Sequence, residues 1–141
     1  MNITVVALGK IGLPLAVQFA DRGHRVFGSD VNPRTVELVN AGVEPFPGEA
    51  QLAEKLAAVV ADGRFTATAD TTEAVAQSEY VVIVVPLFVT AEGEPTFGWM
   101  DDATRAIAAG LKPGTTVIYE TTLPVGTTRT RWKPMLEEGS G

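Results

Sequence analysis

The chain has 141 residues, 45% of them apolar and 20% charged, with a formal net charge of −6 and no cysteine. That is about one domain's length with a globular composition. The acidic balance argues against a nucleic-acid partner, no apolar run is long enough to span a membrane, and disulfides and thiolate metal sites are excluded. No metal-ligand spacing occurs among the other residue types. The first apolar run is too short for a signal peptide and has no basic residue before it, so a cytoplasmic location is expected.

Short β-branched runs alternate with longer helical patterns. Residues 3–7 read as a buried strand ending at Gly9, and residues 11–22 as a helix with Pro14 in its first turn and Gly23 as its stop. Residues 25–29 form a second strand with Asp30 at its end. Pro33 opens a helix running to Asn40, and residues 44–48 make a Pro-rich loop. Residues 50–61 are helical by propensity, 65–68 a short strand and 72–76 a short helix. Residues 80–85 are continuously apolar, as in a strand buried on both faces of a parallel sheet. A long loop (86–98), a helix (100–109), a strand (115–119) and a last helix (127–136) follow. The rhythm predicts an α/β fold, a Rossmann-type doubly wound parallel sheet in three αβα layers, with residues 1–141 as one domain.

The sharpest local signal is Ala7-Leu8-Gly9-Lys10-Ile11-Gly12, set between a strand and a helix. It is the dinucleotide fingerprint with alanine for the first glycine, tolerable while the φ of Ala7 stays negative. Gly9 lets backbone approach a pyrophosphate, Gly12 lets the helix pack on the sheet, and the helix N-terminus offers free N–H groups to phosphate. An ordinary strand-to-helix turn uses similar residues, so context must decide. Asp30 stands at the end of the next strand, where the ribose-binding acid belongs. A 2′-phosphate there would meet like charge, at about 4 kcal/mol per pair at about 4 Å and an effective dielectric near ~20. This favours NAD over NADP, even with Arg34 nearby.

The stretch from Ala7 to Ala16 (with Leu13-Pro14-Leu15), Gly23-His24-Arg25-Val26, Asp30-Val31-Asn32-Pro33, Val84-Val85-Pro86 and Glu120-Thr121-Thr122-Leu123-Pro124-Val125-Gly126-Thr127-Thr128 together resemble the UDP-glucose/GDP-mannose dehydrogenases. The resemblance implies an oxidoreductase that oxidises the C6 alcohol of a UDP- or GDP-sugar to the uronic acid with NAD, in polysaccharide precursor synthesis. It implies a cofactor site of Leu8, Gly9, Lys10, Ile11, Gly12, Asp30, Arg34, Thr35, Val85, Pro86, Glu120 and Thr122. Thr122 would reach the nicotinamide and the reacting carbon, and is the catalytic candidate. A threonine there also suits a turn cap, and Glu120 also suits a solvated strand end.

In this family the aldehyde-level oxidation runs through a cysteine, and the nucleotide sugar is held by a second Rossmann-like domain. A chain with no cysteine that stops at Gly141 is therefore expected to be an inactive fragment of a homodimeric enzyme, binding NAD with incomplete nicotinamide contacts. Departures from the family pattern are Ala7, Lys10 in place of an aromatic, Thr35 in place of a basic residue, and Leu87-Phe88 in place of Thr-Pro. His24 is expected at the surface, Glu92 and Glu94 in solvent, and Asp101 and Asp102 at a helix start favoured by its dipole. Trp99 and Trp132 suit either core or exposed surface, with Trp132 the better candidate for exposure. Two other readings remain open: the NAD domain of a β-hydroxyacid-type dehydrogenase, and a non-catalytic NAD-binding module.

Overall fold

The computed structural model describes residues 1–141. Strand β1 (Asn2–Val6) leads through the glycine turn into α1 (Gly12–Asp21), and β2 (Arg25–Ser29) into α2 (Pro33–Asn40). The start of α2 is set by Pro33 and by Asn32, whose side chain accepts from Arg34 N. Then come α3 (Leu52–Ala61), β3 (Phe65–Thr68), α4 (Thr71–Ala76), β4 (Tyr80–Ile83), a hairpin of β5 (Phe88–Val89) and β6 (Pro95–Thr96), α5 (Gly98–Gly110) and β7 (Thr116–Tyr119). The chain closes with a π-helical turn, Thr128–Trp132, running into α6 (Lys133–Ser140).

Five strands form one parallel sheet in the order β3-β2-β1-β4-β7. Strand alternation divides the core in two. Ile3, Val5, Val26 and Val82 pack with Leu13, Val17, Val39, Leu56 and Val59 from α1, α2 and α3. Val6, Val81 and Ile83 face Val75, Met100, Ile107 and Trp132 on the side of α4, α5 and the last helix. This is the expected three-layer Rossmann-like arrangement. The chain leaves β3 at one edge and re-enters beyond β1, so strand order reverses between β1 and β4, the switch point at which such sheets bind ligands.

The turn out of β1 differs from the sequence reading in one respect: Ala7 has φ +81°, not a negative value. Its N–H is held by Ser29 O at 2.8 Å, and the strained conformation aims its carbonyl at α1. A Cβ on Gly12 would lie 1.8 Å from that carbonyl oxygen and 2.7 Å from Val84 Cγ2, so only glycine permits the helix to start here. The left-handed conformation of Ala7 costs about 1–2 kcal/mol, and the surrounding contacts impose it.

Four other expectations are corrected. Strand β4 ends at Ile83, two residues early, and the loop after it contains the β5–β6 hairpin, whose two-residue strands are too short to leave a periodic signal. The final helix begins as a wide π turn, because Pro134 supplies no N–H to the preceding turn. Trp132 is fully buried, not exposed: its ring stacks on Tyr119 at 4.7 Å and meets Phe97 edge-on at 5.8 Å.

Gly12→Ala is expected to cost about 3 kcal/mol or more in urea unfolding, since backbone, not a mobile side chain, occupies the space. Gly9→Ala, with nothing within 4 Å of its Cβ, should stay within about 1 kcal/mol of the parent. Equal losses in the two variants would contradict this account of the turn.

Candidate dinucleotide-binding site

The N–H groups of Gly9, Lys10, Ile11 and Gly12 donate to no acceptor within the chain. They sit at the start of α1, where Ile11 provides no side-chain cap, and Gly9 uses its carbonyl to accept from Leu13 N at 3.1 Å. A row of unpaired donors at the positive end of a helix is a seat for an anion. A side chain at position 9 would meet no protein atom within 4 Å, so the packing of this chain does not require glycine there. Lys10 is exposed and forms no ion pair.

Asp30 is fixed beside this turn. Its Oδ2 accepts from Leu8 N at 2.8 Å and its Oδ1 from Asn32 N at 2.9 Å, tying the end of β2 to the phosphate turn. Two of the carboxylate's roughly four lone-pair sites stay open to a further donor. Leu8 takes part through its backbone only, because its side chain is in the core. Arg34 pairs with Glu37 at 2.9 Å on the surface of α2, and Thr35 beside it is half-buried. Val31, next to Asp30, is 97% exposed and was not among the expected site residues.

The remaining expected residues lie at the ends of β4 and β7. Glu120 N donates to Ile83 O at 3.0 Å, and Thr121 Oγ1 to Val85 O at 2.7 Å, joining the two strand ends. Val85 is buried in the second core cluster, while Pro86, Glu120 and Thr122 are exposed. Thr122 caps no turn; Thr127 Oγ1 instead closes one onto Pro124 O at 2.7 Å. Leu87 is half-buried against the core, and Phe88 meets Trp99 edge-on at 4.9 Å on the surface. His24 is half-buried at the opposite end of β2, and Glu92 and Glu94 are exposed.

Asp101 departs most from expectation. It is buried, and its carboxylate takes three hydrogen bonds: Arg131 Nε at 2.8 Å, Arg131 Nη2 at 2.5 Å and Trp132 Nε1 at 3.0 Å. The bidentate bond from Arg131 holds the Asp101 carboxyl below the usual carboxylate range, against the opposing effect of burial. Arg131 lies over the Phe97 ring at 4.6 Å. Tyr119, whose hydroxyl meets Thr104 Oγ1 at 2.8 Å, is pushed up to about 12 by burial.

Residues 1–141 match the family model described as the UDP-glucose/GDP-mannose dehydrogenase family, NAD binding domain. The chain belongs to that family. It is 39% identical over 143 residues to the UDP-N-acetyl-D-mannosamine dehydrogenase of Campylobacter jejuni, covering 99% of this chain and 33% of the relative. Among solved structures, the GDP-mannose dehydrogenase of Pseudomonas aeruginosa superposes with a TM-score of 0.94 at 29% identity, over 100% of this chain and 33% of that one. The UDP-glucose dehydrogenase of Pyrobaculum islandicum gives 0.92 at 32% identity, over 99% and 33%. The chain thus spans about a third of the length of these relatives. The family's cofactor is NAD, and the whole-chain match includes residues 120–128, which decides against the β-hydroxyacid alternative.

In this member of the family the Asp101 cluster makes folding sensitive to acid. A carboxyl whose pKa is lower folded than unfolded stabilises above the unfolded value, 3.8, and loses that contribution as pH falls through the folded one. Asp101→Asn is therefore expected to flatten the fall in stability between about pH 5 and pH 2, measured by chemical unfolding at each pH. An unchanged acid limb would contradict the assignment.

Proposed function

We propose that this chain forms the cofactor half of a nucleotide-sugar 6-dehydrogenase active site. The observation that carries the reading is the row of unpaired N–H groups from Gly9 to Gly12 beside the fixed carboxylate of Asp30, at the switch point of a parallel sheet. The residues fit NAD: the position beside Gly9 is open, as a pyrophosphate pressed against backbone requires. Bound there, NAD supplies the hydride acceptor.

The N–H groups of Gly9, Lys10, Ile11 and Gly12 hold the pyrophosphate, and the Lys10 ammonium adds charge. Asp30 accepts from the adenosine ribose hydroxyls, with Leu8 fixing the carboxylate and Arg34 and Thr35 alongside. Pro86, Glu120 and Thr122 line the nicotinamide end, with Val85 supporting them from the core. Thr122, exposed and unpartnered, is the residue of this chain proposed to meet the reacting carbon.

The relatives' names point to a UDP- or GDP-sugar as the substrate class, with UDP-N-acetyl-D-mannosamine favoured by the 39% identical relative. No cysteine is present, so this chain does not itself offer a thiol for the aldehyde-level step. Contacts to the sugar nucleotide and to a second subunit are assigned to the parts of the relatives outside the matched third. The reading implies a cytoplasmic enzyme, where NAD and nucleotide sugars are made.

Calorimetric titration should give NAD binding at least about 10-fold tighter than NADP, since one like-charge contact at the ribose is worth more than the 1.4 kcal/mol that factor needs. Asp30→Asn should weaken NAD and erase most of the preference. Equal or tighter binding of NADP by the parent would overturn the role of Asp30. The chain alone should form no NADH from UDP-sugars, and measurable turnover would contradict the division of the active site.

A further inference from the structure

We propose that Asp101 is a positioning residue for the nicotinamide end of the site, acting through the loop of residues 120–127. This rests on the reading that Thr122 faces the nicotinamide. The loop leaves β7 with Thr122, Pro124, Val125 and Gly126 open to solvent, and Leu123 alone among residues 122–126 turns onto the core. Its first anchor is the bond from Thr121 Oγ1 to Val85 O, at 2.7 Å. Within the loop, Thr127 folds back on Pro124 through both its N–H and its hydroxyl, so residues 124–127 move as a unit.

Past the Leu123 contact, which is apolar and sets no orientation by hydrogen bonding, the chain is next fixed at the π turn bearing Arg131 and Trp132. Nothing in that turn reaches β4 or the glycine turn by a hydrogen bond. Its polar grip is the Asp101 carboxylate alone, reached by three donors from two consecutive residues. The geometry is over-determined: the bidentate fork fixes the guanidinium plane, which lies 4.6 Å over Phe97, and the indole is clamped between Tyr119 and Phe97. A buried carboxylate in the first turn of α5 thus sets where the far end of the loop stands, and so where Thr122 sits relative to Pro86. A neutral amide in its place keeps the size but loses one acceptor and the charge that holds the fork.

ADP-ribose has the adenosine and pyrophosphate of NAD without the nicotinamide, so the ratio of its Kd to that of NAD reads the nicotinamide contacts alone. Calorimetry on this chain should give a ratio above one. Thr122→Val should lower it, as a check on the underlying reading. Asp101→Asn should remove more than half of the parent's excess over one while leaving the ADP-ribose Kd within about 2-fold. Arg131→Met, at a side chain 43% exposed, should do the same without opening the core, and decides the matter if Asp101→Asn does not fold. If Thr122→Val lowers the ratio and both anchor variants leave it unchanged, the positioning role is wrong and the site stands. A parent ratio of one, or a Thr122→Val variant that leaves the ratio unmoved, would overturn the reading of Thr122 and this proposal with it. Parallel losses of NAD and ADP-ribose binding would mean that Asp101 serves the fold only.

Discussion

The close approach of the Ala7 carbonyl to Gly12 is the contact on which the rest of the molecule depends. A Cβ at position 12 would lie 1.8 Å from that oxygen, so the chain can turn from β1 into α1 only with nothing there. The turn is tight enough to force Ala7 to a positive φ, an expense of about 1–2 kcal/mol that the core on both faces of β1 covers. In return, the uncapped start of α1 is carried directly to the point where the strand order reverses. Four backbone N–H groups are left without partners at the switch point of the sheet. A buried donor without a partner is costly, and three of the four belong to the exposed residues Gly9, Lys10 and Ile11, where water can reach them.

Electrostatics then distinguishes the two ends of the crevice. At the adenosine end, Asp30 is pinned by Leu8 N–H from the turn after β1 and by Asn32 N–H from its own connection to α2, so its charge cannot swing away from an approaching 2′-phosphate. Arg34, the cation that might have softened that repulsion, is occupied by Glu37, though an exposed pair of this kind is worth little and yields easily. At the other end, charge is used for architecture. Asp101 is buried and committed to Arg131 and Trp132, and it joins the helix that covers one face of the sheet to the segment that follows β7. The same residue type is thus a recognition group on a strand end and a fastener inside a helix layer.

Much of this was legible in the sequence. The alternation of β-branched runs with helical stretches gave the doubly wound sheet, because the inner strands β1, β2 and β4 are buried on both faces and show it by composition. Gly12 and Asp30 were readable because their spacing from the first strand is dictated by the length of α1 and the return to β2. What escaped were features created by contacts between distant segments. The positive φ at Ala7 goes with the bond from its N–H to Ser29 O on β2, 22 residues away, which is not local. The burial of Trp132 depends on Tyr119 and Phe97, and the role of Asp101 on a partner 30 residues away. Acid at a helix start reads as a dipole effect unless the long-range fork is known. The hairpin after β4 was missed for a simpler reason: two residues per strand carry no period.

The central claim is that the N–H groups of Gly9, Lys10, Ile11 and Gly12 hold the cofactor's pyrophosphate. Two-dimensional amide NMR of the 15N-labelled chain, titrated with NAD, tests it most directly. New hydrogen bonds to phosphate should move those four resonances downfield, the same four should move with ADP-ribose, and amides near Thr122 should respond to NAD alone. Saturable binding that leaves the resonances of Gly9 to Gly12 in place would contradict the account.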